Sequence, residues 1–359
     1  MELINHTGFA AEFFRQFNLS GALNGVVAVR GTFDLVHQQV LSPSEMQEPF
    51  QWSDIYAGDP HQSHLITPSD FVPFKPGTDI TILGTSYVPD GVPKPNWVCG
   101  VRIGQRLTKL IRVHGSRFWE PLHKPPQRGQ NSDFAGWRLT DAESATKVPI
   151  TWRKAFGGAR LLATDDAGLP LLHPYNGLGS GLLDGDLSPK DRLVPAPQIE
   201  AIDEPIQDWQ QDYLPQGFAP VPPWWRFRQR HVGTVDEKWI AERHPFLPMD
   251  FDYRFYQVAH PDLVVEPWLD GGEVIELAHL DPGHKILVTK LPGLSFTIRL
   301  RRPRQLPQEQ PLILDGVHID LHAAPPRVQL TWRTGFPCDI NVGEIDLEVA
   351  SSPLPTDDT

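Results

Sequence analysis

The sequence predicts a mostly-β protein: antiparallel sheets, sandwich- or barrel-like, joined by long Pro/Gly-rich loops and carrying one or two short helices. Three observations predict it. Apolar and polar residues alternate in several separate runs, the period of a strand with one buried side. The 37 Pro are scattered over all 359 residues, about double the ~5% average usage, as suits short strands between long loops. A single stretch carries both a helix start and a helix stop.

The first run is 25–36, GVVAVRGTFDLV, where Val27, Val29 and Gly31 alternate with Ala28, Arg30 and Thr32. Val40 and Leu41 follow a polar gap and suggest a hairpin partner. Residues 42–78 read as loop, with repeated Pro and Asp. Strand character returns at 79–87, DITILGTSY, closed by the turn residues Pro89, Asp90 and Gly91. Residues 98–103 and 107–113 form a hairpin across Gly104–Arg106, and 146–156 is a further strand candidate. From 159 to 223 periodicity is lost, yet Trp209, Tyr213, Phe218, Trp224 and Trp225 give the segment mass to bury. The helix falls at 236–243, with Asp236 as its cap and Pro245 as its stop. In the C-terminal part Leu294, Phe296, Ile298 and Leu300 alternate with polar residues, as do Val317, Ile319 and Leu321, then Val328, Leu330 and Trp332. Such a pattern predicts one inward and one wet face, with Asp315-Gly316 as a turn between paired strands.

The length suits a full core. The chain reads as one folding unit over 1–350, with an N-terminal β region at 1–158, a loop-rich aromatic centre at 159–262, a C-terminal β region at 263–350 and a flexible tail at 351–359. A formal charge of −12 argues against nucleic acid or an anionic membrane surface as partner. Cys99 and Cys338 make neither a disulfide framework nor a zinc site. Glu2, Glu12 and Arg15 break any signal-peptide pattern, and no apolar run reaches the ~18–20 residues of a membrane helix. The expected location is cytoplasmic.

The densest chemistry lies in 217–262, where Trp, Phe and Tyr crowd beside His231, His244, Asp250, Asp252, His260 and Asp262. Imidazoles and carboxylates are what a metal-dependent hydrolase needs to activate water. Their spacing matches no zinc motif, and Pro245 and Pro261 follow two of the histidines directly. The bland reading is a buried structural stretch whose Asp residues accept backbone N–H bonds and pair with Arg243 or Arg254. Gly177, Gly179 and Gly181 suggest a tight turn rather than a phosphate loop, since neither strand nor helix frames them. Ser116 beside His114 lacks the elbow of a hydrolase nucleophile, and His318 and His322 read as solvated residues on a wet strand face. Trp224 and Trp225, behind Pro222-Pro223, are candidate partner anchors held outward on a stiff segment; the alternative is that both brace the core.

Several stretches together resemble a family of uncharacterised-domain proteins encoded beside type VI secretion spike genes. They are GVVAVRGTFDL at 25–35, DPHQS at 59–63, the run 69–91, HGSRFW at 114–119, WRKAFGG at 152–158, YNGLGSG at 175–181, LPQGFAPVPPWW at 214–225, the run 233–262 and LDGGEVIELAHLDP at 269–282. The resemblance implies a non-enzymatic adaptor or chaperone that binds a secreted effector and helps mount it on the VgrG or PAAR spike proteins. It implies no cofactor and no metal. The alternative from a different class is a metal-dependent hydrolase using His244, Asp250, Asp252 and His260.

Overall fold

The computed structural model describes residues 2–124, 134–164, 168–183, 193–304, 306–338 and 343–350, without the side chains of 161–163. The tail expected at 351–359 lies outside the described residues. Over the described residues the protein is mostly β, as predicted, with two short helices and sheets that each keep two ends rather than closing into a barrel.

A central sheet runs in the order Lys147–Ile150, Thr78–Tyr87, Ile313–Asp320, Arg327–Pro337, Leu23–Asp34 and Ala10–Phe17. Its pairs are antiparallel except for Thr78–Tyr87 against Ile313–Asp320, which is parallel with Val317 opposite Ile80. A second sheet orders Ile199–Ala201, Leu107–His114, Asn96–Ile103, Val274–Ala278, Ile286–Lys290 and Gln39–Val40. A third pairs Glu2–Asn5, Glu344–Val349, Phe296–Arg301 and Gln308–Pro311. Apolar faces of all three meet in one core. Val27, Val29, Ile80, Ile82 and Trp332 come from the first, Val101, Ile111 and Leu277 from the second, and Phe296, Ile298 and Leu347 from the third. Full burial of each such side chain contributes roughly 1.5–3 kcal/mol. The layered, sandwich-like arrangement follows from alternation: each strand offers every second residue to this shared core.

Four expectations are corrected. Gln39–Val40 does not fold back on the first long strand but pairs in parallel with Ile286–Lys290. Ser42–Pro43 makes the return pairing on Phe33 and Asp34 instead. Asp315-Gly316 is not a turn. It is a bulge inside Ile313–Asp320, with the register shifting between Leu314 and Gly316. The strand expected over 146–156 stops at Ile150, and Trp152–Lys154 forms a 3₁₀ turn.

The fourth correction matters most. The second face of the central sheet is not wet, because the 42–78 loop crosses it. Gln47 pins that loop in both directions, accepting from Thr32 N–H and donating to Thr32 C=O, each at 2.8 Å. Beneath it lies a layer of buried ions. Arg30 meets Asp70 at 3.1 Å, Lys75 meets Asp79 at 2.9 Å, and Arg333 meets Asp315. Each charge lies on a strand or in the loop directly opposite its partner, so burial leaves no lone ion. His318, expected on a wet face, is buried in this layer with Nδ1 2.8 Å from the Thr81 hydroxyl.

Candidate functional site

The 217–262 stretch divides into three parts. Residues 217–233 are buried up to Pro222 and mixed beyond it, 234–250 form a mostly exposed excursion, and 251–262 are buried or half-buried except for Arg254, Pro261 and Asp262. The expectation of a largely buried, structural stretch therefore holds for its ends and not for the excursion between them. The helix appears at Glu237–Glu242, and the Asp236 carboxylate caps it by accepting from Trp239 N–H at 2.8 Å.

Each candidate metal ligand serves a local structure of its own. Asp250 accepts the N–H and hydroxyl of Thr234. Asp252 caps the 3₁₀ turn Tyr253–Tyr256 and binds Arg254, with the His231 imidazole 3.3 Å away. His244 packs edge-on against Trp239. His260 is buried, its Nδ1 accepting from Asp262 N–H, and burial followed by the charge of Lys109 pushes the imidazole well below its ordinary range. Among the described residues no group of three His, Cys, Asp or Glu is placed to hold a metal ion.

The glycine turn is structural. Buried Asn176 donates from Nδ2 to the carbonyls of Trp152 and Phe156 at 2.7 and 2.9 Å. A Cβ on Gly157, which sits at φ +136°, would fall 2.2 Å from the Asn176 carbonyl. His114 gives Nε2 to the buried Glu200 carboxylate at 2.8 Å, and Arg117 binds the other oxygen at 2.7 Å. Burial alone would raise that carboxyl, but His114 and Arg117 overcome it and hold Glu200 at about 2.

Trp225 is not held outward. It is 3% exposed and meets Trp152 edge-on at 5.4 Å, inside the core. Trp224 is half-buried, stacked on Tyr56 at 5.4 Å and tilted against His61 at 4.9 Å. The aromatic rings that do face solvent lie elsewhere, three on the loop covering the ionic layer and Phe17 at the end of the strand Ala10–Phe17. Trp52 is 51% exposed, Phe71 and Phe74 are each 40%, and Phe17 is 50%. They form a ridge. Phe71 lies 4.6 Å from Phe14 and 5.6 Å from Trp52, and Phe74 lies 5.5 Å from Tyr253 and 6.0 Å from Trp268. The Trp268 indole donates to Lys75 C=O at 2.9 Å, which fixes this end of the ridge to the ionic layer.

A cavity of about 420 Å³ opens between Phe17, Phe74, Tyr253 and Trp268, with Asp315 and Arg333 at its base. Burial pushes the Asp315 carboxyl up, against the pull of Arg333. Apolar walls over a neutralised ionic base accept an apolar side chain more readily than a free ion. Sequence reasoning passed over this ridge because Trp52, Phe71 and Phe74 sit in a segment that reads as loop. The signal that was present is the Phe-Val-Pro-Phe run at 71–74, too apolar for a solvated connection.

Fold and surface together define a mostly-β, largely antiparallel protein that displays aromatic rings on a loop fastened down by buried ion pairs. The chain belongs to the family described as "Uncharacterized protein conserved in bacteria (DUF2169)", whose pattern it matches over residues 20–333. No curated protein and no solved structure matches it. Among the described residues, no helix is long and apolar enough to cross a membrane.

Proposed function

We propose that this protein is a non-enzymatic cytoplasmic adaptor that binds a type VI secretion effector and helps load it onto the VgrG or PAAR spike. The observation that carries the reading is the set of exposed rings Trp52, Phe71, Phe74 and Phe17, of which Phe17 and Phe74 line a side-chain-sized cavity. Large rings left half in water forfeit burial energy that a partner restores, and aromatic anchors supply most of the energy of such interfaces. The ion pairs under the loop hold the rings in place before contact, which lowers the ordering cost of binding. Trp224 adds a smaller contact beside Tyr56. The net charge of −12 favours clients with a basic face, acting on encounter rate and salt sensitivity.

The hydrolase alternative requires His244, Asp250, Asp252 and His260 to converge, and each is engaged separately. The test is co-expression with a spike protein and its effector, followed by purification. Wild-type protein brings the effector down, and a variant with Trp52, Phe71 and Phe74 all changed to Ala stays folded but does not. Retention of the effector by a folded triple variant would remove the ridge from the interface, and no capture by wild type would remove the adaptor reading.

A further inference from the structure

Ala10–Phe17 ends the central sheet: it pairs with Leu23–Asp34 on one side, and among the described residues nothing pairs with its other side. The alternation of the ladder says which groups point outward. Asn18 N–H donates to Ala22 C=O at 2.9 Å across the hairpin, so the bonded pairs continue as Gln16 with Asn24 and Phe14 with Val26. The amides and carbonyls of Ala11, Phe13, Arg15 and Phe17 therefore face away from the sheet. Natural edges of this length are usually guarded by charged side chains, above all Lys, by Pro or by a bulge. This one carries Glu12 and Arg15 but no Lys, Pro or bulge, and its register runs unbroken from Ala10 opposite Arg30 to Phe17 opposite Leu23.

We infer that this edge receives an extended segment of a partner protein as an additional β-strand. A row of outward N–H and C=O groups is complementary to another strand's backbone and to little else. The flanking side chains set the partner's pattern. On one face of the edge lie Phe14, Phe71 and Trp52; beyond its Phe17 end opens the 420 Å³ cavity. A segment with apolar residues at alternate positions runs over those rings and places a large terminal side chain, Leu, Phe or Trp, into the cavity. A second copy of this chain is a poorer occupant. Antiparallel self-pairing with Phe14 opposite Phe14 puts Ala11 beside Phe17 and leaves the cavity unfilled. The inference deepens the adaptor reading by naming how the client is held, and the experiment separates the two.

The probe is a synthetic peptide of about ten residues alternating Val or Trp with Lys or Thr, titrated into the full-length protein. Arg15→Pro deletes one outward N–H without touching the ladder, a substitution edge strands tolerate, whereas Arg15→Ala keeps that N–H. Expected results are a loss of about tenfold in affinity for Arg15→Pro and less than about twofold for Arg15→Ala. In wild-type protein, hydrogen exchange at Phe13 and Arg15 slows when the peptide saturates, a readout that holds should the Pro variant misfold. Equal binding by the folded Pro and Ala variants, unchanged exchange at Phe13 and Arg15, an edge-paired dimer in the free protein, or no binding at about 1 mM peptide would each overturn strand addition. If effector co-purifies with Arg15→Pro as with wild type, strand addition falls and the adaptor stands. If wild type binds the peptide but captures no effector, the adaptor falls and strand addition stands.

Discussion

Arg30 and Asp70 meet at 3.1 Å beneath the 42–78 loop, a strand cation and a loop anion both almost wholly removed from water. Asp70 also accepts the Thr331 hydroxyl at 3.1 Å and Gln51 N–H at 3.0 Å, so one carboxylate joins two strands to the loop. Asp70→Ala leaves Arg30 with only the half-exposed Glu48. The expected cost is about 3 kcal/mol, read by urea denaturation. A change within about 0.5 kcal/mol would show that the pair does not fasten the loop.

The two classes of tryptophan predict opposite outcomes. Trp225→Ala opens a core cavity beside Trp152 and costs about 3–5 kcal/mol in thermal or chemical denaturation. Trp52→Ala costs about 1 kcal/mol or less, since half of that ring is already in water, and its effect appears in partner capture.

Burial, with the charge of Arg30 second, holds the His318 imidazole at about 3, against about 6.5 in the unfolded chain. Between those values the unfolded chain carries the proton and the folded one does not. The contribution is therefore complete above about pH 6.5 and is lost as pH falls toward 3, at up to ~1.4 kcal/mol per unit. His318→Gln removes this titration. Between pH 6.5 and about 5 its stability is expected to fall less steeply than wild type, measured by urea midpoints at each pH.

Chelation with excess EDTA is expected to leave the melting temperature unchanged. The His and Asp side chains of 231–262 are occupied by backbone amides, arginines and rings. A drop in melting temperature, restored by a divalent ion, would return the hydrolase to consideration.

Alternation made most of the sheet legible. Leu23–Asp34, Thr78–Tyr87 and Arg327–Pro337 all appear where apolar residues recur at every second position. What alternation cannot say is what covers the other face. Arg30, Thr32, His318 and Thr331 look like solvent-facing polar residues until Asp70, Gln47 and Thr81 are brought opposite them. Asp315-Gly316 has the chemistry of a hairpin turn, yet a bulge suits the same two residues. The helix at Glu237–Glu242 was legible because its cap and stop are local. The ridge was not, since its rings gather from Phe17, Trp52, Phe71, Phe74 and Trp268, on segments with no shared period.

The parallel pairing of Thr78–Tyr87 with Ile313–Asp320 bears on how the chain is made. Thr81 waits for His318, 237 residues later, so a nascent chain emerging from the ribosome carries its first strands without their central neighbour. Contacts of such long range form slowly, and unpaired strands exposed meanwhile are prone to misassembly. The cavity draws residues from Gln16 to Gly335. It exists only after synthesis has passed that point, so an unfinished polypeptide carries no finished cavity.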